Sequence, residues 1–214
     1  MKSLSIAFVS IGLAAAAVNP ANGHLPGDPP VKESHVSYIV EPGKSEFAWT
    51  ARKVSGQHSG TISISAGNVT FNKGMLLGGM FELDMNTIAN TDIDSEGMKK
   101  KLEGHLKSED FFNVGEFPKA DLKVKLWAPI KDAKEGAANY YVKGDLTIKG
   151  ITHEISFAAR VDLSEKQLTA SADFDIDRTL YDVRYNSGKF FPEIGDRMIE
   201  DLFNVKIKLV ASAK

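Results

Sequence analysis

The chain has no cysteine. That absence removes disulfides, thiolate catalysis, Cys-ligated zinc, iron–sulfur clusters and lipoprotein acylation together. It also has little net charge, since 26 basic against 28 acidic side chains leave −2 over 214 residues. A nucleic-acid binder needs clustered cations to neutralise phosphates, and here the basic residues are scattered, so no nucleic-acid partner is expected. Familiar catalytic signatures are missing as well: there is no Gly-x-Ser-x-Gly elbow, no phosphate loop and no His-Glu-x-x-His pair. The five histidines, His24, His35, His58, His105 and His153, sit in five separate segments, without the local spacing of a metal site. No catalytic residue, metal or cofactor is therefore expected.

The single long apolar run lies at the start. Lys2 precedes Leu4 to Val18, broken only at Ser5, Ser10 and Gly12, and Asn19, Pro20 and small residues follow. This is the layout of a secretory signal peptide over residues 1–23, with cleavage after Ala17 or after Gly23. The run is short for a bilayer and lacks a basic stop-transfer flank, so no stable membrane span is expected. The competing reading is a retained signal anchor. A periplasmic or secreted protein follows from cleavage. Residues 20–34 then hold four of the eight prolines, with Gly23 and Gly27. Residues 24–36 accordingly read as a linker, and residues 37–214 as one domain. At that size a core can be stable without disulfides, even in an oxidising compartment.

The domain reads almost wholly as strand. Phe47, Trp49 and Ala51 alternate with Glu46, Thr50 and Arg52, and Phe81, Leu83 and Met85 with Glu82, Asp84 and Asn86. The same two-residue period runs through Leu122 to Leu126, Val142 to Ile148, Ile155 to Val161, Leu168 to Ile176 and Val205 to Leu209. Around Ile62, Ile64, Val69 and Phe71 it comes in short pieces separated by Gly60, Gly67 and Gly74. One apolar and one charged face per strand fits antiparallel pairing. Eight or nine such strands make an all-β domain, either a sandwich or a closed barrel. One helix is expected from Gly97, where Met98, Leu102 and Leu106 recur at four-residue spacing, and a second short one around Glu193 to Asp201.

Asp92, Asp94, Glu96, Gly97 and Glu103 occupy positions of a calcium-loop pattern. A strand precedes them where an EF-hand needs a helix, and Lys99, Lys100 and Lys101 would repel the cation. An acidic start to a helix with a basic end suits the helix dipole better.

Four segments together resemble a known family. They are Tyr38 to Ser45; Gly104 to Val114 with Phe117-Pro118; Gly144 to Thr152; and Phe174 to Val183 with Ile194-Gly195-Asp196. In order and spacing they are similar to the YceI-like family, over essentially all of residues 37–211. The resemblance implies a lipocalin-like antiparallel β-barrel of about eight strands that binds a polyisoprenoid or similar long-chain lipid. Two departures stand out. The family's Arg-Asp-x-His-Leu is here Leu102-Glu103-Gly104-His105-Leu106, and the hairpin segment Lys131 to Ala138 is long and rich in charge and alanine.

An eight-strand barrel encloses space for side chains or one slender ligand. The inward set expected from alternation contains Phe47, Trp49, Phe81, Leu83, Leu122, Val124, Leu126, Leu146, Ile148, Phe157 and Phe174. Small inward residues, Ala51, Ala159, Ala170, Ala172 and Gly144, would leave volume along the axis. Periodicity alone leaves a hollow and a solid core equally open. Phe112, from the Phe-rich segment, joins the ligand-binding set at the mouth. Arg178, Tyr185 and His105 could hold a polar headgroup there by charge-assisted bonds, although Arg178 could instead pair with Asp175 or Asp177. The expected function is non-catalytic binding, carriage or storage of the lipid. An enzyme acting on a lipid-like substrate, with His105 as acid or base, is the alternative. A solid adhesion sandwich would show a row of exposed aromatics, which Trp49 and Trp127 do not make. A homodimer through exposed strand edges is allowed.

Overall fold

Alternation carries most of the domain into strand. A computed structural model describes residues 35–214; the segment read as a signal peptide, and most of the linker, lie outside the described residues. In chain order the elements are β1 (His35–Val40), β2 (Glu46–Lys53), β3 (Gly56–Asn72), β4 (Met75–Asn90), α1 (Glu96–Lys107), β5 (Lys119–Pro129), β6 (Tyr140–Ile148), β7 (Ile151–Leu163), β8 (Gln167–Asp177) and β9 (Ile199–Ala213). β1 starts two residues inside the expected linker.

The sheet closes on itself as an antiparallel barrel with eight strand positions. Nine strands fill eight positions because β1 and β2 lie end to end between β3 and β9. Tyr38 pairs with Val69 and Ala213, whereas Ala48 pairs with Thr61 and Lys206. The break between them is a 3-10 turn at Pro42–Lys44, where proline has no N–H to give a ladder. Ser45 Oγ accepts from Val210 N–H at 3.1 Å, so the break leaves that donor satisfied. Every described strand has a neighbour on both sides for at least part of its length, but the β7–β8 ladder spans only Ala159–Leu163 and Leu168–Ala172, so residues 151–158 of β7 and 173–177 of β8 do not pair with each other.

Outside, the wall is laced with cross-strand ion pairs, including Lys125–Asp145 at 2.6 Å, Lys143–Glu154 at 2.8 Å and Lys208–Glu46 at 3.2 Å. Each is exposed and contributes at most about 1 kcal/mol. Collectively they fix which face is wet. A charged outside and an apolar inside invert the pattern of a membrane-spanning barrel. Among the described residues no helix is long and apolar enough to cross a membrane.

Bulges reset the alternation at three places along β3 and β4 and once in β5. The β5 bulge, between Val124 and Leu126, corrects one inward assignment. Leu126 is 50% exposed, and Trp127 takes the next inward place. β3 likewise runs unbroken through what reads as separate pieces. The second expected helix is a 3-10 turn, Pro192–Arg197, and residues 199–201 already belong to β9. Gly195, at φ 59°, lies in the left-handed region and interrupts that turn.

One end of the barrel carries the turns after β3, β5 and β7. Edge-on aromatic contacts fill it, Tyr38–Phe71 at 5.9 Å and Phe71–Trp127 at 5.5 Å, with Trp127–Tyr140 at 4.6 Å beyond. The other end is crossed by α1 with residues 108–118 and by residues 178–198. α1 is tied down where the sequence departs from the family pattern, because Glu103 Oε1 accepts from Asn90 N–H at 2.9 Å. Asp92 belongs to the same anchor, not to a calcium loop. It accepts from Ser59 N–H at 2.8 Å and from the buried Asn90 amide, and faces His58 Nδ1 at 3.0 Å.

Burial opposes ionisation of Asp92, but the Ser59, His58 and Asn90 contacts outweigh it and hold its pKa below the ordinary value. A lowered folded-state pKa gives stability that is present above the unfolded value, about 3.9, and is lost as pH falls through the folded one. Asp92→Ala should therefore cost about 1 kcal/mol at neutral pH, given its partial exposure. The gap to wild type in urea denaturation should narrow below about pH 4; a gap that widens there contradicts the account.

Candidate binding cavity

Side chains that point into a solid core are shielded on all sides. Here several that point inward are only partly buried: Phe47, Leu83, Leu122 and Ile207 form a waist packed against both core clusters, yet each keeps exposed surface. Their exposure is to a cavity of about 180 Å³ that runs along the barrel, from Val161 and Leu168 at one end to Phe111 and Val183 at the other. An apolar cavity of about 150 Å³ already stays dry and takes up a small hydrocarbon. The barrel is hollow, and its hollow is hydrocarbon in character.

The elements that make it are the strands' inner faces. Of the expected residues, Phe47, Trp49, Phe81, Leu83, Leu122 and Val124 line it from β2, β4 and β5. Leu146, Phe157 and Phe174 line it from β6, β7 and β8, the last two rings stacked at 4.1 Å and 5°. Phe112 and Arg178 reach it from the crossed end. Space remains because Ala159 and Ala172 face each other across β7 and β8, with Ala170 and Ala51 also on the wall. Gly144 is required for a further reason: a Cβ there would lie 2.5 Å from the Lys123 carbonyl oxygen.

His105 and Tyr185 do not line the cavity. They meet at the crossed end, rings 4.6 Å apart and edge to face, with Phe111 4.9 Å from the imidazole. His105 Nε2 lies 2.9 Å from Asp110 Oδ2. Alternation misses Phe111 and Val183 because both sit in loops, where no period applies. Three phenylalanines within seven residues were the available signal for Phe111.

Arg178 is 5% exposed and its hydrogen bonding is internal. Its Nε donates to Glu200 O, Nη1 to Val183 O and Tyr185 O, and Nη2 to Ile199 O at 3.0 Å and to Asp201 at 3.5 Å. All five guanidinium N–H groups are thereby used. The expected pairing with Asp175 or Asp177 does not form. Asp177 instead caps the turn after β8, accepting from Thr179 N–H at 2.8 Å. Burial lowers the Arg178 pKa, with Asp201 and Asp177 acting the other way. Arg178 thus stitches residues 178–185 to the start of β9 and holds the cover over the barrel. Beside it Tyr181 is buried against the His153 ring, and burial pushes its phenol up to about 12.

Among the described residues no three His, Asp or Glu side chains gather to hold a metal ion. A closed barrel, wet outside and hollow and apolar within, defines a binding-type barrel. The YceI-like domain family model matches residues 38–211, and the chain belongs to that family. BcnA of Burkholderia cenocepacia shares the fold with a TM-score of 0.62 at 20% identity, over 80% of this chain and 99% of that one. A polyisoprenoid binding domain from Saccharophagus degradans does so at 0.57 and 15% identity, over 83% and 98%. A curated relative, the UPF0312 protein YE1254 of Yersinia enterocolitica, is 30% identical over 78 residues, covering 36% of this chain and 36% of that protein.

Arg178→Met should strand four carbonyls and cost about 3–5 kcal/mol in denaturant unfolding. Arg178→Lys should recover only part, because an ammonium has three donors and no fork. A loss below about 1 kcal/mol for the methionine variant would overturn this role.

Proposed function

We propose that this protein binds a polyisoprenoid or similar long-chain amphiphilic lipid inside the barrel, and carries or stores it without chemical change. The observation that carries the reading is the exposure of inward-facing side chains to an apolar cavity. Burying a hydrocarbon chain there yields about 25 cal/mol per Å² of surface removed from water. The described polyisoprenoid-binding domain with the same fold supports the ligand class. We further propose that the protein is exported, on the strength of the apolar run after Lys2 and the small residues beyond it. Its mature N-terminus, read by mass spectrometry, should fall after Ala17 or Gly23; an intact Met1 argues against cleavage and for the retained signal anchor.

Organic extraction of natively expressed protein should release a stoichiometric long-chain species. Ala172→Phe, which sets a ring into the hollow opposite Ala159, should lower that yield at least about tenfold while leaving the circular dichroism spectrum intact. Equal lipid in the two proteins would count against interior binding. Removing the lipid should also lower Tm. A ligand present at about 100 times its Kd adds about 2.7 kcal/mol, equivalent to about 5–10 °C at this size. Identical melting curves would point to a ligand held elsewhere.

A second reading, catalysis on a lipid held in the barrel, rests on His105 beside Asp110 at the crossed end. It requires that His105→Ala keep the lipid and lose its turnover. Lipid recovered chemically unchanged after long incubation with the wild-type protein rules against it.

A further inference from the structure

The turn after β7 is fastened on several sides. Ser164 N–H donates to Gln167 O at 2.9 Å, Tyr38 Oη to Ser164 O at 2.7 Å, and Ala213 N–H to Lys166 O at 2.8 Å. From that turn the β7–β8 ladder runs only as far as Ala159 and Ala172. Beyond it, residues 151–158 of β7 stay in register with β6, and residues 173–177 of β8 with β9, but the two strands do not pair with each other. The next inward rungs would set Phe157 opposite Phe174 and Ile155 opposite Ile176. In their place the two phenyl rings stack across the parting, centroids 4.1 Å and planes 5° apart. The parting closes again just past β8, where the Tyr181 ring meets the His153 ring of β7 at 5.4 Å. The wall thus has a framed window, filled by side chains where a ladder would have been.

We propose that this window is the door of the hollow, with Phe157 and Phe174 as its gate, and that the lipid enters and leaves between β7 and β8 while the cover stays shut. The inference rests on the reading of the barrel as a lipid site. Phe157 and Phe174 both line the hollow and both keep exposed surface, so one layer of rings stands between the hollow and the outside. Turning stacked rings aside breaks no hydrogen bond. The other ways in are harder to open. At the crossed end Arg178 ties the cover to four main-chain carbonyls, which lifting it would leave without their donor. At the hairpin end β4 and β5 also part, beyond Gly79 and Val124. There the buried ring of Phe71, which does not line the hollow, packs edge-on against Tyr38 and Trp127.

The rim decides which end of a ligand leads. Outside the gate stand Glu154, Ser156, Asp173 and Asp175, all exposed. Lys143 pairs with Glu154 at 2.8 Å and Lys206 with Asp173 at 3.4 Å, while Asp175 accepts from the Asn204 amide at 3.0 Å. On balance the rim is acidic and offers no unpaired cation to a phosphate or carboxylate headgroup. A hydrocarbon chain, or one that ends in an uncharged group, passes by dispersion contact with the rings alone. Just inside, Ala159 and Ala172 at the apex of the parting leave that end space.

The test exploits the absence of cysteine. Ser156→Cys with Asp175→Cys places one thiol on each exposed side of the window. Glu109→Cys with Arg184→Cys places one on each covering segment, beside the same surface groove. Each pair is bridged with a short bis-maleimide after lipid extraction, and uptake of tritiated geranylgeraniol from cyclodextrin is followed, then its release. Bridging the window should slow both at least about tenfold and leave the amount bound at equilibrium unchanged. Bridging the cover should change neither rate. Phe157→Ala should speed uptake about tenfold, whereas losing a residue that only lines the wall would speed release alone. Slowing by the bridge on the cover, an unslowed window, or an unchanged uptake rate in Phe157→Ala each overturns the inference and leaves the lipid site standing. Absence of uptake by the unbridged proteins and the wild type overturns the lipid site itself.

Discussion

Closure of one antiparallel sheet, through the seam where β1 and β2 share a place beside β9, is the constraint on which everything else depends. Eight positions fix the width of the tube, and width fixes how much side chain is needed to fill it. Phenylalanines on β2, β4, β7 and β8 would fill it if their neighbours were also large. Their neighbours are Ala51, Ala159, Ala170 and Ala172, with Gly144 across from Val124. The hollow thus follows from a few small residues at inward positions.

A hollow forfeits dispersion contacts on one side of every residue that lines it. The protein compensates at its two ends. At the hairpin end the Tyr38, Phe71 and Trp127 rings pack edge to face, and Tyr38 Oη donates to Ser164 O at 2.7 Å. At the crossed end the cover is made from irregular chain, whose carbonyls need donors wherever water is shut out. Arg178 supplies them. A residue that looks in sequence like a headgroup ligand thereby becomes the clasp of the cover.

The sequence made the inner wall legible wherever a strand kept its period. Phe47 and Trp49, Phe81 and Leu83, and Phe157 and Phe174 are all inward, as alternation requires. The reading failed where one extra residue entered a strand. A bulge shifts parity by one, so Leu126 faces water and Trp127 faces in. The glycines of β3 marked irregularity but suggested separate strands, because a bulge and a turn draw on the same residue. The cover was illegible for a different reason. Val183, Phe111 and the acceptors of Arg178 are joined by long-range contacts between loops, and no local period encodes them.

The distribution of charge separates what the barrel can hold from what it must leave outside. Lys125, Lys143 and Lys208 are paired on the outer wall, and Arg178 is committed to carbonyls. The interior therefore has no mobile cation with which to follow a change in its ligand's charge. A hydrocarbon chain gains by area alone and tolerates many lengths and unsaturations, since dispersion is not directional. An anionic group entering the hollow would meet no free donor on its wall, so the cost of taking it out of water would go unoffset.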